Sequence, residues 1–206
     1  MTLPILYSFR RCPYAMRARL ALASAEITVE LREVLLRDKA PELLAASQKA
    51  TVPVLLPKDQ VIEESYDIML WALRQNDPEN WLSGRNDPLI AALDGPFKTA
   101  LDRYKYGKGD VETAREDAAA FLFELDTTLA HQPYLSGQNF ALIDAASVTF
   151  IRQFANVDLV WFNAKPWPHL RTWLEKFLAS SRFEAIMRKY PQWHAGDPAT
   201  LFPEPK

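Results

Sequence analysis

Cys12 is the sole cysteine of this 206-residue chain, and it stands where thiol chemistry is favoured. It lies in the run Arg10-Arg11-Cys12-Pro13-Tyr14-Ala15, directly after an apolar stretch and directly before a segment of good helix formers. Proline suits the first turn of a helix, so Pro13 places Cys12 at the N-cap. There the sulfur faces unpaired N–H groups and the positive end of the helix dipole, and Arg10 and Arg11 add positive charge. Cysteines so placed have pKa values lowered from ~8.5 to roughly 3.5–7.5. Arg19 lies two turns further on, ~10 Å by helix rise, and its direct effect is expected to be small. Ala15 occupies the place where a second cysteine would complete a CxxC pair. A mixed disulfide at Cys12 therefore has no resolving thiol within the chain, and an external small-molecule thiol must release it. The lone cysteine also excludes an intramolecular disulfide and fits a reducing cytoplasm. His131, His169 and His194 are too scattered for a ligand motif, so no metal is expected.

The elements that must carry this thiol alternate. Ile5 to Phe9 reads as a buried strand, Pro13 to Ala25 as a helix, and Thr28 to Leu36 as a strand with Val29 and Leu31 on one face. Pro41 to Ser47 reads as a helix. Val54-Leu55-Leu56 and Val61-Ile62 read as a hairpin across Pro57-Lys58-Asp59-Gln60, and Ser65 opens a further helix. The order βαβ-α-ββα predicts a small mixed sheet, because a crossover helix makes the first strand pair parallel and a hairpin makes the last antiparallel. These elements span residues 1–76. Residues 77–87, with Asp77-Pro78, Ser83-Gly84 and Asp87-Pro88, read as a linker. Residues 88–206 read as an all-helical domain with three apolar stripes. The first comprises Ala118, Phe121, Leu122, Leu125 and Leu129. The second comprises Leu170, Trp173, Leu174, Phe177 and Leu178, and the third Phe183, Ile186, Met187 and Tyr190. The tail from Gly196, with Pro198, Pro203 and Pro205, is expected to be irregular.

Apolar residues make up 49% of the chain, which is ample for a packed core. Lys plus Arg number 24 against 26 Asp plus Glu, a balance with no electrostatic footprint for nucleic acid or an anionic membrane. No apolar run is long enough to span a bilayer, and the arginines follow rather than precede the N-terminal apolar stretch, unlike a signal peptide.

Three motifs together carry a family resemblance. They are Ser8-Phe9-Arg10-Arg11-Cys12-Pro13-Tyr14-Ala15 with Arg17, Arg19 and Leu20; Thr51-Val52-Pro53-Val54-Leu55; and Glu64-Ser65 at a helix start. The first part resembles the thioredoxin-like domain of the glutathione transferase superfamily. It is most similar to the cysteine-bearing omega-like branch and, more distantly, to the two-domain bacterial glutaredoxin. The resemblance implies a thioredoxin-like N-terminal domain followed by a helical bundle, glutathione as cosubstrate, a homodimer and no metal. It implies that Cys12 forms the mixed disulfide with glutathione. It also implies that Val52-Pro53 is a cis-proline turn whose Val52 backbone pairs with the glutathione cysteine. Glu64 and Ser65 would anchor the γ-glutamyl group, and Lys39 the glycyl carboxylate. A second-substrate pocket is implied near Phe9, Arg11 and the helix carrying Arg103, Tyr104 and Tyr106, although those tyrosines are equally explained by interdomain packing, with the large aromatics Trp161 and Trp193 as further candidates. One departure concerns Gly137, Phe140, Ile143 and Asp144, which resemble the family's buried capping box. Ala141 stands where Ser or Thr normally caps, so Asp144 can reach back to the Ala141 N–H but the hydroxyl half is missing. Restoring it by Ala141→Thr is expected to stabilise the fold.

The leading reading is an enzyme, a glutathione-dependent thiol transferase or reductase working through Cys12, for which the resemblance implies glutathione mixed disulfides, dehydroascorbate-like or α-thioketone-like acceptors. One alternative is a conjugating transferase for electrophiles in which Tyr7 or Ser8 stabilises the glutathione thiolate. Another is a non-catalytic interaction module that keeps the same fold.

Overall fold

The computed structural model describes residues 2–204; Met1, Pro205 and Lys206 lie outside the described residues. It divides into two compact units, one of residues 2–79 together with 181–204 and one of residues 80–180.

The first unit is built on a four-stranded sheet ordered β3-β1-β2-β4. Strand β1 (Ile5–Ser8) runs parallel to β2 (Val29–Glu33), with Leu6 opposite Leu31, and antiparallel to β3 (Val54–Leu56), with Leu6 opposite Leu55. Helix α1 (Pro13–Ser24) is the crossover between β1 and β2, and it packs on α3 (Ser65–Gln75). Successive residues of a strand face opposite ways. Tyr7 accordingly belongs to a core cluster with Val34, Val52, Val54, Trp193 and Leu43, the last on α2 (Pro41–Ala46). The thioredoxin-like expectation holds in order, direction and crossover.

The fourth strand is not the expected one. Val61-Ile62 contributes a single bridge, in which Leu55 and Ile62 exchange backbone hydrogen bonds of 2.9 Å each. The sheet instead takes its fourth strand from the tail that was expected to be irregular. Leu201–Phe202 form β4, antiparallel to β2, and Phe202 is buried. Helix α10 (Ser181–Met187), read as the third stripe of the helical domain, likewise belongs to the sheet unit and packs on α1. The expected helical domain of 88–206 therefore loses residues 181–204. The expected linker, 77–87, is also structured. Trp81–Gly84 form a 3-10 turn with Trp81 fully buried, and the Asn86 side chain accepts from the Leu89 N–H to cap α4 (Asp87–Ala92).

The second unit is helical throughout. From α4 the chain passes through a π-helical turn, Leu93–Phe97, into α5 (Lys98–Tyr106). Pro96 sits inside that turn, and its missing N–H is a physical reason for the ladder to widen there. Helices α6 (Val111–Leu129), α7 (Leu142–Ala155), α8 (Leu159–Ala164) and α9 (Pro168–Leu178) follow. All five residues of the first stripe are buried. In the second stripe Leu170, Trp173, Leu174 and Phe177 are buried, whereas Leu178 is exposed. Among the described residues no helix is long and apolar enough to cross a membrane.

Candidate functional site

The chain leaves β1 through a tight turn in which the Cys12 N–H donates to the Phe9 carbonyl at 3.0 Å. Cys12 is the N-cap of α1, with extended φ/ψ of −71° and 121°, and Pro13 begins the helix as expected. The Cys12 carbonyl accepts from the Met16 N–H at 2.8 Å, while Sγ lies 3.6 Å from the Val52 carbonyl oxygen. The Val52–Pro53 bond is cis, as the resemblance implied.

A cavity of about 450 Å³ opens at this sulfur. Its wall contains Cys12, Lys39, Val52, Pro53, Glu64 and Ser65, so all six residues expected to engage glutathione lie around one space although the chain separates them by up to 53 positions. Ser65 is the first residue of α3, buried, and its Oγ accepts from Arg17 Nε at 2.9 Å. That leaves the hydroxyl proton for another acceptor. Glu64 is the N-cap of the same helix, and its exposed carboxylate accepts from Lys49 Nζ at 2.6 Å. Neighbouring Glu63 accepts from Ser47 Oγ at 2.5 Å and stands 3.9 Å from the same lysine.

Sequence reasoning passed over Lys49 and Glu63, and it quoted Tyr14 and Arg17 only as parts of a motif. Arg17 had a detectable signal: a charged residue inside an Ala/Leu/Met helix is costly to bury unless something accepts from it. Tyr14 lines the cavity with the Arg17 guanidinium 5.2 Å from its ring centroid.

Several expectations are corrected. Tyr7 and Ser8 do not line the cavity. The Tyr7 hydroxyl accepts from Arg32 Nη1 at 2.8 Å, and burial raises its pKa above the ordinary tyrosine value. Ser8 is fully buried, with its Oγ accepting from Arg19 Nη1 at 2.5 Å. Neither hydroxyl is placed to hold a thiolate in this cavity. Phe9 and Arg11 stack on each other, 5.8 Å from guanidinium carbon to ring centroid, and also stay out of its wall. Tyr104 is buried in the helical unit against Phe154, centroids 5.4 Å apart, which fits the packing role that the sequence left open for it. Tyr106 is exposed beside Lys105 and Lys108. Trp193 is a core residue of the sheet unit, edge-on to Tyr7 at 6.1 Å with Arg32 over its ring at 4.1 Å. Trp161 lies between Arg115 and Lys165, 4.6 and 4.3 Å from its ring.

Arg19 is also misjudged by helix rise alone. Side chains on a helix lean towards its N-terminus. The Arg19 guanidinium reaches back past the first turn, and its Nη2 donates to the Arg10 carbonyl at 2.7 Å. It is fully buried, and desolvation lowers its pKa to about 10 although the charges of Glu33 and Cys12 oppose the shift. Glu33, also buried, accepts from the Arg10 N–H at 2.6 Å, and desolvation raises its pKa.

Comparison with known proteins agrees with this architecture. Residues 6–81 match the family model for the glutathione S-transferase N-terminal domain, and residues 82–181 match that for the C-terminal domain. Glutathione S-transferase U22 of Arabidopsis thaliana is 29% identical over 79% of this chain and 79% of its own length. The tetrachloro-p-hydroquinone reductive dehalogenase of Sphingobium chlorophenolicum is 24% identical over 93% of this chain and 98% of its own. Among solved structures, a glutathione transferase from Pseudomonas putida with one glutathione disulfide bound per subunit superposes with a TM-score of 0.76. It is 15% identical and covers 90% of this chain and 91% of its own, a likeness of fold alone.

Proposed function

This chain belongs to the glutathione S-transferase family, and on that premise we propose that it is a glutathione-dependent thiol transferase whose nucleophile is Cys12. The observation that carries the proposal is one cavity shared by the sole thiol of the chain and by Lys39, Val52, Glu64 and Ser65. Glu64 accepts from the substrate ammonium, Ser65 donates its free hydroxyl proton to the γ-glutamyl carboxylate, the Val52 backbone pairs with the central residue, and Lys39 meets the glycyl carboxylate. In the first step the Cys12 thiolate attacks the glutathione sulfur of a mixed disulfide. The substrate S–S bond breaks, its thiolate leaves and takes a proton from solvent, and a Cys12–glutathione disulfide forms. A second glutathione thiolate then attacks the bound glutathione sulfur, releasing glutathione disulfide and the Cys12 thiolate. Ala15 in place of a resolving cysteine makes the second glutathione necessary. A cysteine at the strand–helix junction supports an omega-like affiliation, and the family supports a homodimer.

Conjugation is the second reading, favoured by the plant relative, which is named a glutathione S-transferase. In this chain it lacks the stabilising hydroxyl it was expected to use, since those of Tyr7 and Ser8 are engaged elsewhere. Steady-state turnover of a glutathione mixed disulfide and of an electrophilic aryl halide, each with wild type and Cys12→Ser, separates the two. The proposal expects disulfide turnover to vanish in Cys12→Ser while glutathione binding, read by calorimetry, persists. Wild-type disulfide turnover by that variant overturns it, and absence of glutathione binding by either protein favours the interaction-module reading.

A further inference from the structure

Arg10, inside the turn that leads from β1 to Cys12, is held by two buried charges. The Arg10 N–H donates to Glu33 Oε1 at 2.6 Å, and the Arg10 carbonyl accepts from Arg19 Nη2 at 2.7 Å. Both hydrogen-bonding groups of one backbone residue are thus taken by ionisable side chains, from β2 on one side and from α1 on the other. Arg19 also binds the last residue of β1 through Ser8 Oγ. The same turn closes on Cys12 through the Phe9 carbonyl. Burying an arginine and a glutamate is costly, and simple strand–helix packing does not require either. Each has one buried atom with no protein partner among the described residues, Arg19 Nε and Glu33 Oε2.

We propose that Arg19 is a positioning residue for Cys12: held by the Arg10 carbonyl and Ser8, it fixes the turn that presents the sulfur and sets a buried positive charge behind it, with Glu33 moderating that charge. The proposal rests on the reading of Cys12 as the nucleophile. The charged and titratable groups that act on Arg19 are Glu33 from β2, Cys12 and Arg10 from the turn, and Tyr190 from the segment after α10. The charge of Cys12 favours the charged form of Arg19, and by reciprocity a charged Arg19 favours the thiolate.

The test is the pH dependence of iodoacetamide alkylation, which reads Cys12 alone because the chain has no other cysteine. Wild type, Arg19→Met and Glu33→Gln are compared, with Cys12→Ser as the blank. Arg19→Met is expected to move the reactivity midpoint to higher pH and to slow alkylation at pH 7 by about tenfold. Glu33→Gln keeps an oxygen for the Arg10 N–H but removes a negative charge, so its midpoint is expected to move the other way, to lower pH. Nonspecific loosening of the fold does not give shifts of opposite sign. An Arg19→Met midpoint equal to that of wild type, or a Glu33→Gln midpoint that does not fall, overturns the proposal. If Arg19→Met does not fold, the Glu33→Gln arm still decides. Alkylation needs no glutathione, so a wild-type protein that fails to turn over disulfides sinks the thiol-transferase reading while leaving this result interpretable.

Discussion

Each unit buries one carboxylate that the fold treats differently. Asp144, in the helical unit, is fully buried and receives five hydrogen bonds. Oδ1 accepts from the Leu135 N–H and Trp173 Nε1 at 2.7 and 2.9 Å; Oδ2 accepts from Ser136 Oγ and the Ser136 and Ala141 N–H groups at 2.6, 3.1 and 3.3 Å. Glu33, in the sheet unit, has one oxygen on the Arg10 N–H and the other buried without a partner. Burial raises the pKa of both. A carboxylate with every lone pair used knits distant segments together, here the 135–136 turn, the start of α7 and the middle of α9. A carboxylate with one oxygen on a single backbone N–H fastens only the turn at Arg10, where the charges of Arg19 and Arg10 partly offset its burial. The two sites therefore differ in kind, one fastening distant segments of the fold and the other, on the proposal above, moderating the charge of Arg19.

The largest effect that can break this contrast is on stability. Asp144→Ala leaves five donors without their acceptor, and the helical unit is expected to lose about 3–5 kcal/mol, measured by denaturant unfolding. A loss below ~1 kcal/mol would mean that the hydrogen bonds contribute little and that the fastening lies elsewhere.

A smaller effect tests the ground beside Asp144. A Cβ built on Gly84 would lie 2.6 Å from Ser136 Oγ and 2.7 Å from the Ala141 Cβ. Gly84→Ala is therefore expected to destabilise by about 1–3 kcal/mol, read as a lower melting temperature. The same closeness bears on Ala141, the N-cap of α7. Asp144 does reach the Ala141 N–H, as half a capping box should, and the backbone of Gly84 comes close enough that a Cβ there would lie 2.7 Å from that of Ala141. The stabilisation expected of Ala141→Thr from sequence should accordingly be offset by crowding. A melting temperature clearly above that of wild type would show that the turn at Gly84 yields.

The smallest effect sharpens the other side of the comparison. The folded chain binds the Glu33 proton more tightly than the unfolded chain does, because the folded pKa lies above the ordinary value of 4.5. The resulting stability is fully present below that value and is lost as pH rises through the folded pKa. Glu33→Gln removes this titration. Its melting temperature relative to wild type should thus rise between pH 4 and pH 8, and a difference that stays flat would place Glu33 in a more solvated setting than the structure gives it.

Much of the site was legible because it is written in local chemistry. Pro13 fixes the helix start and so makes Cys12 the N-cap; Glu64-Ser65 opens α3; the stripe from Ala118 to Leu129 has helical spacing that only a buried face explains. Each depends on residues within a few positions of one another, where φ preferences, capping and periodicity act. The cavity wall was legible for a different reason, as a resemblance of three motifs rather than as anything spacing could derive.

What only the tertiary structure decided depends on partners far away in the chain. Leu201–Phe202 is too short to carry a strand pattern and becomes β4 because β2 offers an open edge and the core beneath takes the Phe202 ring. Helix α10 has the apolar spacing of its predecessors, and nothing in that spacing says which unit it covers. Tyr7 and Ser8 are chemically capable residues whose surroundings differ from those expected, Arg32 engaging the first and Arg19 the second. Arg19 shows the same limit most sharply. Its position along the helix axis put it far from Cys12, but a long side chain leaning towards the N-terminus carries its charge back to Arg10, and only the folded backbone shows what it meets there.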